Sequence, residues 1–95
     1  MPDSDNGATA VPKFQFAGSV SSGTHRPVDL IDNLSPVLKA LNPKRFFSLA
    51  MNRPDDDQEY VIQLMDALDL ESPEGMYFGT HQGDGADFGF WEEYR

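Results

Sequence analysis

The sequence predicts an α+β fold: two main helices packed on a small antiparallel sheet that ends in a C-terminal β-hairpin. Three observations carry this expectation. Residues 24–43 and 52–72 space their apolar side chains at the helical period. The stretch "MYFGTHQGDGADFGFW", Met76 to Trp91, sets two aromatic-rich runs around a glycine-rich break. The stretch "KFQFAGSV" alternates Phe14 and Phe16 with Lys13 and Gln15, the period of a half-buried strand.

Taken in order, "MPDSDNGATAVP" is small, polar and broken by proline and glycine. Its composition predicts a disordered tail over 1–11, with one small domain over 12–95. A strand is expected from about Lys13 to Val20, ended by "SSGT". The first helix follows, with Thr24 as N-cap and Pro27 in the first turn, where its missing N–H is harmless. His25 reads as a first-turn residue. Leu30, Ile31, Leu34, Val37, Leu38 and Leu41 make one apolar stripe. Pro36 removes a hydrogen bond to the carbonyl of Asp32, so a kink or a restart capped by Ser35 is expected.

Asn42 and Pro43 read as the cap and first position of a short helical segment. Phe46 and Phe47 are expected in the core, with Lys44 and Arg45 as a solvated basic edge. In the second main helix Asp55, Asp56 and Asp57 are expected in the first turn, where the helix dipole favours negative charge. Tyr60, Val61, Leu64, Met65 and Leu68 form its buried stripe, and Glu59, Gln63 and Asp66 face outward. "SPEG" ends it. Gly83 and Gly85 are expected to take positive φ in the hairpin turn. Trp91, with Phe88 and Phe90, is expected to close over the helices as a core anchor.

Composition narrows the functional classes. At 95 residues and 39 % hydrophobic, the chain supports one domain with a modest core. It has no cysteine, which excludes disulfides and thiolate metal sites. No apolar run approaches the roughly 18 residues of a membrane span, and no signal-peptide pattern opens the chain. A cytoplasmic location in a host cell is the expectation. The formal charge is −9 and unevenly placed. Residues 1–53 carry four acids and six bases; residues 54–95 carry twelve acids and one base, Arg95. So negative a field repels phosphate backbones and attracts basic surfaces, which argues against direct nucleic-acid binding. Solubility alone is the plainer reading of the same charge.

His81, Asp84 and Asp87 are the constellation with catalytic or ligating potential. A histidine beside carboxylates can act as a general base. Candidate nucleophiles (Ser19, Ser21, Ser22, Thr24, Thr80) stand outside any nucleophile-elbow sequence. One histidine and two aspartates on a glycine loop make a weak metal signal. "GDGAD" lacks the alternating carboxylates and closing Glu of a calcium loop. A glycine pattern for a dinucleotide needs a helix after it, and here a short strand is expected instead. The reading is non-enzymatic, with no cofactor and no metal.

Two stretches resemble a group of small proteins of bacteriophages and bacterial mobile elements. The first is Gly23, Thr24, Arg26, Pro27, Asp29, Leu30 and Ile31. The second is Tyr77, Phe78, Gly79, His81, Gly83, Asp84, Gly85, Asp87, Gly89, Phe90 and Trp91. The resembling stretches, 21–31 and 73–91, cover about a third of the chain. It implies a phage-type origin and no particular activity. Both stretches carry charged residues, which suggests a polar cluster with Arg26 paired to Asp84 or Asp87.

The functional expectation is an acidic interaction protein that binds and interferes with a basic, nucleic-acid-binding host protein surface, as a nucleic-acid mimic. Asp55, Asp56, Glu59 and Asp66 are the expected partner-binding residues. One alternative is a small-ligand or metal-binding module built on Arg26, His81, Asp84 and Asp87. Another is a self-assembling structural protein using exposed aromatics.

Overall fold

The computed structural model describes residues 14–93. The expected tail over 1–11, the domain ends at 12, 13, 94 and 95, and Lys13 of the expected first strand lie outside that range. The described elements are β1 (Gly18–Ser21), α1 (Pro27–Leu41), α2 (Pro43–Met51), α3 (Asp57–Leu70), β2 (Met76–His81) and β3 (Asp84–Glu92). Together they make an α+β fold with a C-terminal hairpin. No helix among the described residues is long and apolar enough to cross a membrane.

The first strand begins later than the alternation of Phe14 and Phe16 suggests. Phe14 to Ala17 form a turn closed by a 3.0 Å hydrogen bond from Ala17 N–H to the Phe14 carbonyl. Gly18 follows at φ +97, a left-handed conformation open to glycine, and it redirects the chain into β1. The two phenylalanines still pack on the core, Phe14 edge-on to Phe90 at 4.9 Å between centroids. The alternation therefore reported burial, but on a turn.

Pro27 takes the first position of α1, so the cap falls on Arg26 rather than Thr24. A proline with φ already helical fits that position best, which leaves the cap to its predecessor. Thr24 instead accepts from the Arg26 N–H and donates to Asp29, at 3.1 and 2.8 Å. His25 consequently precedes the helix, exposed, with its ring 5.8 Å from that of Phe88. The helix also runs through Pro36 without restarting at Ser35. Leu34 and Leu38 are fully buried on either side, and the proline ring faces solvent. Burial of both flanks outweighs the single lost backbone hydrogen bond.

Asn42 caps α2 by accepting from Arg45 N–H at 3.1 Å, as its position before Pro43 suggests. Only one of the two phenylalanines is drawn inward. Phe46 packs against the core, whereas Phe47 is half exposed, because neighbours on a helix diverge by about 100°. Of the three aspartates expected in the first turn of α3 only Asp57 lies there; Asp56 caps the helix, accepting from Gln58 N–H at 3.0 Å, and Asp55 stands before the cap, because the Asp56 carboxylate satisfies a first-turn N–H from outside the helix. Tyr60, Val61, Leu64, Ala67 and Leu68 are buried, with Met65 packed at the margin.

The sheet has the order β1-β3-β2, antiparallel throughout. Phe78 faces Phe90 across the hairpin, and Gly18 faces Phe90 on the other side. Successive strand residues point to opposite faces. Phe78, Phe88 and Phe90 therefore turn toward the helices and are buried with Leu30, Ile31, Leu34 and Leu38. Helix α1 packs on α3, on α2 and on β1, and α3 packs on β2. Ser21, the buried polar residue of β1, accepts a hydrogen bond from the Asn33 amide at 3.0 Å.

The same alternation sends Trp91 to the other face. It is half-buried there rather than a core anchor over the helices. The turn also differs from expectation. Positive φ occurs at Gly18, Gly23 and Gly75, not at Gly83 or Gly85. Side chains hold the turn instead: His81 Nδ1 accepts from Gly83 N–H and Asp84 from Ala86 N–H, both at 3.0 Å. The register slips between Thr80 and His81, which absorbs the extra residues of β3.

Candidate functional site

Two surfaces carry the candidate residues: the solvent face of α3 and the outer face of the hairpin. On α3, Asp55 precedes the cap, Asp56 is the cap, and Glu59 and Asp66 follow along the helix. All four are exposed. Among the described residues no cationic side chain lies within ion-pair distance of any of them. Arg53, the nearest base in sequence, is committed elsewhere. Its guanidinium lies 2.8 Å from Asp57 and 4.5 Å over the Tyr60 ring. Glu59, Ile62, Asp66 and Leu70 recur at helical spacing, so one face alternates carboxylate and aliphatic groups. Ile62 is 51 % exposed and Leu70 69 %.

Bases collect elsewhere. Lys39 closes the last turn of α1, 5.5 Å over the Phe47 ring, and Lys44 and Arg45 open α2. Arg45 reaches Glu71 at 3.6 Å. The charge asymmetry of the sequence thus becomes an asymmetry between elements.

The second expected cluster does not assemble. Arg26 is largely exposed and pairs with Asp29 at 3.8 Å, not with Asp84 or Asp87. The reason is local: Asp29 lies one turn on, and Thr24 holds its carboxylate in place. Asp87 accepts a hydrogen bond from Ser19, and Asp84 is used in the turn. His81 lies against Trp91, their centroids 4.7 Å apart and their planes at 79°. Among the described residues no three His, Asp or Glu side chains are placed to hold a metal ion. Neither His25 nor His81 is hydrogen-bonded to a serine or threonine there.

The structure brings together a set that the motif reading missed. Tyr77 and Trp91 are cross-strand partners, and Gly79 faces Gly89 beside them. The Trp91 indole N–H donates to the Gly79 carbonyl at 3.0 Å. Its six-membered ring lies against Gly89, where an added Cβ would come within 2.9 Å of Cζ2. Tyr77 leans over Gly79 and its hydroxyl donates to the Thr80 carbonyl at 3.3 Å. Tyr77, His81, Gln82, Trp91 and Glu92 line an open cleft of about 210 Å³. The signal was present in strand parity. Tyr77, Gly79 and His81 share one face of β2, and Gly89 and Trp91 share one face of β3.

Comparison with protein-family models, curated proteins and solved structures found no match to this chain.

Proposed function

We propose that this chain is a non-enzymatic, acidic interaction protein of phage or mobile-element type. It binds a basic, nucleic-acid-binding protein surface in the host cytoplasm and interferes with it. The observation that supports this reading is the solvent face of α3. There Glu59 and Asp66, with Asp55 and Asp56 just ahead of the helix, are exposed and without cationic partners among the described residues. Glu59 and Asp66 stand seven residues apart, about 10.5 Å along the axis. That is close to the axial rise of three nucleotides along one strand of double-stranded DNA, about 3.4 Å each. A groove built for phosphates accepts such a row of carboxylates. Ile62 and Leu70 on the same face add apolar area to the contact.

The test is capture of the partner from host lysate, followed by association kinetics across a salt series. Replacing Asp55, Asp56 and Asp66 by Asn and Glu59 by Gln removes four charges and no buried side chain. Slower association and a flatter salt slope are expected, with an unchanged melting curve. Unaltered rate and salt response in this variant would leave the acids a solubility role only.

A further inference from the structure

We propose that the chain associates weakly with a second copy of itself, the basic and apolar face of α2 in one copy packing against the acidic and apolar face of α3 in the other. This goes beyond the reading of a basic host partner, because it makes the chain a competitor for its own α3 face.

Among the described residues five large hydrophobic side chains are exposed: Val28, Phe47, Met51, Ile62 and Leu70. Four of the five fall in two pairs. Phe47 and Met51, 51 % and 85 % exposed, stand one turn apart on α2, away from Phe46 and Leu49, which pack on the core. Ile62 and Leu70 stand two turns apart on α3, opposite the buried Tyr60, Val61, Leu64 and Leu68. Single exposed apolar residues are ordinary, but pairs in register on one helix face mark a contact surface.

Charge gives each pair its complement. Among the described residues Arg26, Arg45 and Arg53 each reach a carboxylate of their own chain, at 3.8, 3.6 and 2.8 Å. Lys39 and Lys44 reach none, and both flank the α2 pair. The Lys39 ammonium stands 5.5 Å over the Phe47 ring. Lys44 precedes Met51 by two turns on the same face of α2. The converse holds on α3. Asp66 sits between Ile62 and Leu70, with Glu59 beside Ile62, and neither carboxylate has a cation. Each face thus lacks the charge that the other carries.

Helix faces of this kind pack side by side through their ridges. Met51 is flexible enough to fit an irregular partner surface, and a lysine stem can lie on aliphatic groups while its ammonium reaches a carboxylate. Exposed ion pairs add little affinity, but they select the pairing. Packing α2 on α2, or α3 on α3, sets like charges together. The contact therefore joins unlike faces, closing two-fold where one neighbour receives both and growing where it does not. The net charge of −9 opposes the approach of whole molecules, and salt screens it beyond about 8 Å. One helix face on another is a small interface, at the weak end of the range. The chain is accordingly a monomer at about 10 μM and associates toward about 1 mM.

Sedimentation of the full-length protein across that range is the test. The mass average should rise with concentration. Lys39→Glu with Lys44→Glu makes both faces acidic, and Glu59→Lys with Asp66→Lys makes both basic. Each double variant alone should stay monomeric. Mixed in equal amounts they should associate again, because every α2–α3 contact between them is once more between opposite charges. Met51→Ser, an exposed change on the same face, should weaken the parent's association several-fold with an unchanged melting curve. A parent mass constant to the highest concentration would overturn the proposal. So would association of either double variant equal to the parent's, or a mixture as monomeric as its components. The reading of a basic host partner is decided separately. The variant altered at Lys39 and Lys44 keeps all four acids, so it should bind the captured partner at least as fast as the parent while losing self-association.

Discussion

Gly89 of the central strand lies so close to Gly18 of β1 that a Cβ at position 89 would sit 2.2 Å from the Gly18 carbonyl oxygen. That atom is backbone and cannot swing aside. Gly89→Ala is therefore expected to push β1 from β3, at about 1–3 kcal/mol or more. Gly79, its partner across the hairpin, is the internal control. A Cβ there meets Tyr77 ring atoms at 3.4 and 3.5 Å, an ordinary contact. Urea midpoints of the two alanine variants should differ clearly, Gly89→Ala being the weaker. Equal midpoints would show that β1 yields easily.

Trp91 and Phe90 are adjacent in sequence and opposite in role. Phe90 is 1 % exposed and packs edge-on with Phe14 and Phe78. Phe90→Ala should cost roughly 3–5 kcal/mol, a large share of the stability of so small a domain. Trp91 rests on two glycines with solvent beyond. Trp91→Ala loses one hydrogen bond and half-covered area, on the order of 1–2 kcal/mol. Denaturant unfolding of both variants gives the ranking. A larger loss at Trp91 would mean that the glycine trough matters more than the core ring above the helices.

The apolar stripes of α1 and α3 were legible because each repeats over four turns, long enough for period to overrule local noise. The hairpin was legible from its aromatics, and α2 from the adjacent Asn42 and Pro43. What escaped depended on a backbone conformation or on parity. Nothing local marks Gly18 as the start of β1; the close approach to Gly89 does. Trp91 reads as core by its size. Its face is set by pairing with Tyr77, a long-range register. Arg26 and Asp87 share charge complementarity, but Asp29 and Ser19 reach them first.

Pro36 stands on the solvent face of α1, ten positions into a fifteen-residue helix. It denies the Asp32 carbonyl its helical donor. Pro36→Ala restores that bond and removes the ring, at some loss of rigidity in the unfolded chain. A net gain of about 1–2 kcal/mol is expected, or several degrees in Tm. A fall in Tm would show that α1 is built around its proline.

Asp69 closes the open edge of the sheet. β2 is an edge strand, and the outward N–H of Phe78 would otherwise invite pairing with another chain. The Asp69 carboxylate, reaching from α3, accepts that N–H at 3.0 Å. It ties the second main helix to the hairpin at the same point. Asp69→Ala removes a charge-assisted bond and should cost about 1–2 kcal/mol. It should also make the mass concentration-dependent, since the edge is then uncovered. Asp69→Asn keeps an acceptor and loses only the charge, so its midpoint should fall between. Urea unfolding gives the stability, and sedimentation at two concentrations gives the association. A variant Asp69→Ala as stable and as monodisperse as the parent would show that α3 itself covers the edge and that the carboxylate is incidental.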